Sequence, residues 1–404
     1  MTTKKNIPFE LFPVAGIRLG TACAGIKKAD HRDLLLIEIA EGSQTAAVFT
    51  QNAFCAAPVI LSKKHLQQSQ PRYLLVNTGN ANAGTGERGF NDALACCQEV
   101  ANVTHTDISK VLPFSTGVIG EYLPVDKFPA AITTAYDNLS ADNWENAANT
   151  ILTTDTVPKG HTRCFTVNGT KITISGIAKG SGMIRPDMAT MLAYIATDAK
   201  IEQSVLQNCL MEAVNHSFNR ITVDGDTSTN DCAVLMATGC SDVSLAAGDP
   251  ELAEFQTTLT AVCEELAKDM VRDGEGATKL ITICVNGCQS EQEAKDVAYT
   301  VAHSPLVKTA FFASDPNWGR ILAAVGRAGV KNLDLAKVNI SLEDVTIVNN
   351  GEKASDYTEE RGQAVMDKSD ITITIDLARG NEQIQVWTCD FSYDYVRINA
   401  EYRS

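Results

Sequence analysis

Hydrophobic and polar residues follow two periodicities along the chain. Apolar runs and alternating patterns predict β-strands at residues 34–39, 73–77, 171–175, 190–196, 231–238, 278–285, 371–375 and 384–387. Apolar residues spaced by three or four predict helices at residues 90–101, 200–217, 250–271 and 290–303. A turn signal at residues 378–381 indicates that the last two strands form a hairpin. We therefore expect an α/β or α+β fold with large sheets covered by helices and no flexible interdomain linker.

The composition is that of an ordinary globular protein. The chain has 404 residues, of which 44% are hydrophobic and 21% charged, enough for two or three domains. Its net charge of -15 repels phosphate backbones, so nucleic acid is not an expected partner. The chain contains no run of 18 apolar residues, so we expect no membrane-spanning helix. No apolar segment follows Lys4 and Lys5, so we expect no signal peptide and a cytoplasmic location.

The cysteine and histidine spacings argue against a metal site. The twelve cysteines form no CxxC pair, and the six histidines form no HxxxH pair. In a reducing compartment, such cysteines are expected to be free and mostly buried. A histidine-dependent catalytic triad finds no support in the sequence either.

Two loops carry weak signals for binding. The segment Gly84–Gly89 matches the GxGxxG pattern of dinucleotide sites, but residues 77–83 separate it from the preceding strand. A close-packed glycine turn is the favoured interpretation, and a non-catalytic nucleotide-binding protein is the rival one. The segment Asp224–Asp231 fits no calcium loop, and it predicts either simple polar turns or a loop that lines a pocket.

Two further segments carry possible chemistry for acyl transfer. Thr116 and Gly117 can present a hydroxyl and a backbone N–H side by side, as an oxyanion hole requires. A glycine-rich loop beginning at Lys179 leads into the predicted strand that opens with Thr190. The Thr190 hydroxyl could attack the carbonyl of Ala189, and hydrolysis of the resulting ester would free an α-amine. That amine has an ordinary pKa of about 7.7–8.0 and could act as the base for its own hydroxyl.

From the residues alone, an ordinary strand threonine is the favoured interpretation of Thr190. The wider pattern changes this, because several segments, in the same order, closely resemble the ornithine acetyltransferase family, the bifunctional glutamate N-acetyltransferases of arginine biosynthesis. The segments are residues 46–52, 76–86, 115–120, 153–156, 179–198, 273–279 and 315–320. The resemblance covers essentially the whole chain.

The resemblance implies specific roles for individual residues. The chain would cut itself between Ala189 and Thr190, and Thr190 would become the acetyl-accepting nucleophile. Thr116 and Gly117 would form the oxyanion hole. The substrate site would consist of Thr153, Lys179, Thr190, Glu275, Asn399 and Ser404.

The sequence leaves parts of this substrate site open. Thr154 and Thr156 are alternatives to Thr153, and Ser404 stands where the family often has threonine. Lys179 is suited to a substrate carboxylate, and Glu275 is suited to an amino group of ornithine.

The family also implies a reaction and an assembly. The cleavage products would be residues 1–189 and 190–404, and together they would build one α/β sandwich. Two copies of each product would assemble into a heterotetramer. Acetyl would pass from N2-acetyl-L-ornithine to L-glutamate by a ping-pong mechanism that needs no metal or organic cofactor. Some family members also accept acetyl-CoA as a co-substrate, and the sequence does not decide this point. The alternative is a self-processing aminopeptidase or amidase, in which water resolves the acyl-enzyme.

Overall fold

The chain folds into two units, which we describe separately. The computed structural model describes residue 9 and residues 11–27, 30–185 and 191–401. The N-terminal unit comprises Met1–Asn219 and Asp226–Met270, and the C-terminal unit comprises Arg220–Gly225 and Val271–Ser404. Each unit combines strands with helices, so the predicted mixed α/β class is confirmed. The predicted cleavage products, residues 1–189 and 190–404, are defined by a cut in the peptide chain and not by these units, and they stay a prediction.

The N-terminal unit contains most of the predicted strands. Its described strands are β1 (Ile17–Ala22), β2 (Leu34–Ile39), β3 (Gln44–Phe49), β4 (Tyr73–Asn80), β5 (Val111–Val118), β6 (Lys159–Val167), β7 (Thr170–Lys179), β8 (Leu192–Thr197), β9 (Lys200–Ile201), β10 (Cys232–Ala237) and β11 (Ser244–Leu245). Its described helices are α1 (Ala57–Gln68), α2 (Gly86–Thr104), α3 (Phe128–Asp137), α4 (Trp144–Thr150), α5 (Gln203–His216) and α6 (Pro250–Arg272).

Two sheets of this unit pack face to face between layers of helix. One sheet has the order β1-β2-β4-β5, and the other has the order β3-β10-β8-β7-β6. Their facing sides share one core, in which the rings of Phe114 and Tyr194 meet edge to face at 5.4 Å. Helices α2 and α3 cover the outer face of the first sheet, and α6 contacts the second sheet beside Gly176. The result is the sheet sandwich covered by helices that the sequence predicts.

Strand β8 is a central strand of the five-stranded sheet. All six of its residues are buried, which explains its unbroken apolar sequence. It pairs antiparallel with β7 and parallel with β10. The observed strand begins at Leu192, whereas the apolar pattern predicts a start at Thr190, which lies outside the described residues.

The C-terminal unit is built on one mixed sheet. Its described strands are β12 (Leu280–Cys288), β13 (Asn339–Leu342), β14 (Val345–Asn349), β15 (Glu352–Lys353), β16 (Asp370–Asp376) and β17 (Glu382–Cys389), in the order β15-β14-β13-β16-β12-β17. Its described helices are α7 (Glu291–Ala302), α8 (Pro305–Phe312), α9 (Trp318–Gly326), α10 (Glu359–Met366) and α11 (Tyr393–Ala400). Every helix in the described ranges of both units is too short or too polar to cross a bilayer.

The predicted hairpin between the last two strands is wrong. Strand β12 lies between β16 and β17, parallel to the first and antiparallel to the second. The connecting turn crosses the end of β12, where Arg379 N and Gly380 N both donate to Gly287 O, at 2.7 and 2.9 Å. Crossing one intervening strand requires about 9.5 Å, which five residues span easily. Local turn chemistry therefore could not distinguish a hairpin from a connection over a neighbouring strand.

We predict that Phe114→Ala destabilises the N-terminal unit by about 4 kcal/mol, because it leaves a cavity between the two sheets beside Tyr194. Urea denaturation measures the change in the free energy of unfolding. Phe54→Ala is the matched control, since Phe54 belongs to the same unit but is 55% exposed. Equal losses for the two variants would contradict the packing described here.

Candidate active site

The ends of two parallel strands place Thr116 and Gly117 side by side. Strand β5 runs parallel to β4, and Gly117 pairs with Gly79. Gly117 has φ of 134°, and a Cβ atom there would lie 2.3 Å from the carbonyl carbon of Gly79. Only glycine fits this close approach. Thr116 and Gly117, both half-buried, are consecutive residues near the end of β5.

Lys179, the last residue of β7, joins the two sheets at this point. Its Nζ donates to Thr153 Oγ1 at 2.7 Å and to Thr116 Oγ1 at 3.2 Å, and the residue is only 5% exposed. The hydroxyl of Thr154 contacts Ser181 at 2.6 Å. The structure therefore brings together three predicted site residues, and among the neighbouring threonines it is Thr153 that meets Lys179.

A buried carboxylate, Asp155, orders these groups. Its Oδ1 accepts hydrogen bonds from Lys159 Nζ and from Gly180 N, each at 2.7 Å. Its Oδ2 accepts from Thr153 N at 3.2 Å and lies 3.9 Å from Lys179 Nζ. One carboxylate thus fixes the backbone on both sides of the Thr153–Lys179 contact.

Sequence reasoning missed the roles of Asp155 and Lys159. Burial would raise the pKa of the Asp155 carboxyl, but the cations of Lys159 and Lys179 and the Gly180 N–H hold it well below its ordinary value. The available signal was the spacing of Asp155 and Lys159, four residues apart. It is uninformative by itself, because most such pairs lie on exposed helix faces, whereas this pair is fully buried.

The start of β8 lies directly beside Lys179. Lys179 pairs with Leu192 in the sheet register. The preceding residue, Met191, donates its backbone N–H to Asp231 Oδ1 at 2.9 Å and accepts from Cys232 N at 3.0 Å. Both contacts anchor the head of β8 to β10.

The polar segment Asp224–Asp231 ends in two residues that brace this region. The Nδ2 atom of Asn230 donates to Ala81 O at 2.7 Å and to Ser115 O at 2.9 Å. The next residue, Asp231, holds β8 as described above. Adjacent side chains therefore tie the start of β10 to β5 and to the head of β8. A pocket-lining role for the segment stays a prediction.

Three predicted site residues, Ala189, Thr190 and Ser404, lie outside the described residues. Thr190 precedes Met191 directly in the chain. The described contacts of Met191 therefore locate the covalent continuation of Thr190, and the roles predicted for these three residues stay predictions.

The C-terminal unit contains a separate pair of predicted residues, Glu275 and Asn399. Asn399 on α11 donates through Nδ2 to Glu275 Oε2 at 2.8 Å, and also to Tyr395 O at 3.0 Å. Glu275 is only 7% exposed. The structure thus brings Glu275 and Asn399 together, as a shared role in substrate binding would require.

The remaining sequence motifs have structural explanations. Helix α2 begins at Gly86 inside the GxGxxG segment, and a Cβ on Gly89 would lie 1.8 Å from Thr85 Oγ1. Close packing therefore accounts for this glycine. All twelve cysteines are free, and seven of them are buried. Within the described ranges, no three His, Cys, Asp or Glu side chains form a group that could hold a metal ion.

We predict that Asp155→Asn lowers the free energy of unfolding by about 3 kcal/mol at neutral pH, because it leaves the buried Lys159 cation without its carboxylate. The pKa of Asp155 is depressed in the folded protein, so this stabilisation is present above the ordinary pKa of about 3.9 and is lost at lower pH. Urea denaturation at pH 7 and below pH 4 should show the difference between wild type and variant narrowing on acidification. Asp107→Asn, at an exposed aspartate, is the control, and an equal loss there would contradict this account.

Comparisons with known proteins bear on the whole chain. The model of the ArgJ family matches residues 18–404. A protein of Methylococcus capsulatus, named arginine biosynthesis bifunctional protein ArgJ, is 59% identical over 98% of this chain and 97% of its own length. A protein of the same name from Pseudomonas fluorescens is 56% identical over 98% of each chain.

A solved structure is also similar. The crystal structure of arginine biosynthesis bifunctional protein argJ from Bacillus halodurans is 42% identical, covers 51% of this chain and 97% of its own, and superposes with a TM-score of 0.49. The family resemblance inferred from the sequence is confirmed by the family match and by the two curated relatives. The chain belongs to the ArgJ family and is an acyltransferase of arginine biosynthesis.

Proposed function

We propose that this chain cuts itself between Ala189 and Thr190, and that the freed Thr190 carries acetyl from N2-acetyl-L-ornithine to L-glutamate. The observation that supports this most directly is the position of Lys179. Its side chain donates to Thr116 Oγ1, while its backbone pairs with Leu192, two residues after Thr190. Lys179 thus contacts both a member of the proposed oxyanion hole, Thr116, and the strand that follows the proposed nucleophile.

The proposed reaction has two half-reactions. The Thr190 hydroxyl attacks the acetyl carbonyl while its α-amine takes the hydroxyl proton, and the oxyanion is stabilised by the Thr116 hydroxyl and the Gly117 N–H. The C–N bond breaks, ornithine leaves with that proton on its nitrogen, and an acetyl ester stays on Thr190. The neutral amine of glutamate then attacks the ester carbonyl and gives its proton to the Thr190 α-amine. The ester C–O bond breaks, the α-amine returns the proton to the Thr190 oxygen, and N-acetylglutamate leaves. If water attacked instead, the enzyme would be an amidase, but membership of the ArgJ family favours transfer.

Charged residues support the choice of amino acid substrates. Lys179 is a buried cation, and together with the Thr153 hydroxyl it can donate to a substrate carboxylate. In the C-terminal unit, the Glu275 carboxylate can accept from the amino group of an ornithine side chain, with Asn399 fixing its orientation. The proposed Ser404 contact adds a hydroxyl to this set.

The proposal extends to the products and their setting. Residues 1–189 and 190–404 form the two chains, and two copies of each assemble into a heterotetramer in the cytoplasm. The Thr190 α-amine is the base, and the Thr116 hydroxyl and the Gly117 N–H stabilise the oxyanion. The mechanism therefore requires no metal or organic cofactor. Acetyl-CoA as a second acetyl donor fits the word bifunctional in the names of the relatives.

We predict that freshly purified protein gives two fragments of similar size on a denaturing gel, with a new N-terminus at Thr190. Thr190→Ala should remain one chain and transfer no acetyl, because it lacks the attacking hydroxyl. Thr190→Ser is the matched control, since it keeps the hydroxyl and should still be cut. An intact wild-type chain with full activity, or robust transfer by Thr190→Ala, would overturn the proposal.

We also predict that Thr116→Ala slows both self-cleavage and acetyl transfer by roughly 10²–10³-fold, because each step passes through an oxyanion. Intact-mass time courses measure the cleavage, and steady-state kinetics measure the transfer. Thr116→Ser should recover most of both rates. Unchanged rates in Thr116→Ala would remove this residue from the site.

A further inference from the structure

The hydroxyl of Ser392 joins the two segments that carry Glu275 and Asn399. Ser392 is 8% exposed, and its Oγ donates to the carbonyl oxygen of Gly276, the residue after Glu275, at 2.6 Å. The same oxygen accepts from Asp394 N at 3.2 Å, so Ser392 is the N-cap of α11, the helix on which Asn399 lies. One hydroxyl thus contacts both the loop that carries Glu275 and the start of the helix that carries Asn399.

Other contacts hold the same two segments together. A Cβ atom on Gly276 would lie 2.6 Å from Ser392 Oγ, which is closer than van der Waals contact. Two residues before Ser392, the fully buried Asp390 accepts from Thr278 N at 2.8 Å and from Thr278 Oγ1 at 2.6 Å. The loop that carries Glu275 is therefore held against the chain that leads into α11.

Helix α11 depends on specific contacts for its position. All eight of its residues lie within the described ranges, and each is at least partly exposed. A helix of this length is not stable in isolation. The N-cap at Ser392, the stacking of the Phe391 and Tyr395 rings at 4.6 Å and the hydrogen bond from Asn399 to Glu275 are among the contacts that hold it. Loss of the cap should therefore shift the helix and the Asn399 amide with it.

The Asn399 contact orients the carboxylate of Glu275. A carboxylate has about four acceptor positions, so the hydrogen bond at Oε2 leaves room for an ammonium group. We propose that Ser392 is a positioning residue that sets the orientation of Glu275, and with it the preference for a donor whose side chain ends in an ammonium group. This inference rests on the proposed function, in which Glu275 receives the side-chain amine of ornithine. Ser392 itself lies outside the segments that carry the family resemblance.

The test compares two acetyl donors in the full-length enzyme. N2-acetyl-L-norleucine has the length of N2-acetyl-L-ornithine, but its side chain ends in a methyl group where ornithine has the ammonium group. The ratio of the two kcat/KM values measures the preference for the charge, and it does not depend on the fraction of active enzyme. We expect Ser392→Ala to lower this ratio roughly tenfold, because a displaced carboxylate loses part of a charge-assisted hydrogen bond. Ser392→Thr keeps the hydroxyl and should retain the wild-type ratio.

The chain offers a matched control in Ser304, in the same unit. Ser304 is 6% exposed, and it is the N-cap of α8, which like α11 has eight residues. Its Oγ accepts from Val307 N at 3.4 Å. Ser304→Ala therefore removes the same kind of helix cap at similar burial, from a helix that carries neither Glu275 nor Asn399. It should leave the ratio as in the wild type.

Each outcome decides a different point. A wild-type ratio in Ser392→Ala overturns the inference, and so does an equal fall in Ser304→Ala, because the loss of any helix cap would then suffice. An equal fall in Ser392→Thr also overturns it, since the hydroxyl would not matter. If Ser392→Ala alone loses the cooperative unfolding transition in urea, Ser392 is needed for folding and the inference is again wrong.

A further variant separates this inference from the proposed function. Glu275→Gln removes the carboxylate and should lower the ratio at least as much as Ser392→Ala. A wild-type ratio in Glu275→Gln would show that Glu275 does not receive the side-chain amine, and it would overturn that part of the proposed function. A fall in Glu275→Gln without a fall in Ser392→Ala would overturn only the role of Ser392.

Discussion

The geometry of the candidate site depends on the buried carboxylate of Asp155. It allows two lysines, Lys159 and Lys179, to lie in the interior of the N-terminal unit, where an unpaired cation would be strongly disfavoured. It also holds the backbone at Thr153 and Gly180, on the two segments that meet at the site. With these contacts in place, Lys179 is directed at the threonine hydroxyls.

A second constraint comes from the parallel pairing of β8 with β10. Parallel strands present the same end of each strand at the same edge of the sheet, so the head of β8 lies beside the end of the Asp224–Asp231 segment. Asn230 and Asp231 use this placement to hold Ser115 and Met191 through backbone contacts. Strand β5, which carries Thr116, and the chain that follows Thr190 are thereby both held by the segment that leads into β10.

The sequence predicted where strands and helices lie along the chain better than it predicted which strands pair with each other. Periodicity located β8 and β10, because buried central strands leave long apolar runs. It could not predict that β12 separates β16 from β17, since pairing between distant segments leaves no local signal. The roles of Asp155 and Asp231 also left no local signal. Both residues lie in segments noted in the sequence, residues 153–156 and Asp224–Asp231, but they resemble ordinary turn residues until their burial and partners are known. The roles of Thr116 and Lys179 came from the chain-long family pattern and not from either residue alone.

The central position of β8 has a consequence for how a cut chain would unfold and refold. Strands β7 and β10 flank β8 on both sides, so a break before β8 leaves the products interleaved in one sheet and held by its hydrogen bonds. The intact chain can form this sheet as a single molecule. Once the peptide link is gone, a denatured enzyme must recover it from two separate chains, at a rate that depends on protein concentration. The maturation that creates the nucleophile would thus turn folding into a one-way process, in which the structure persists through slow unfolding and not through ready refolding.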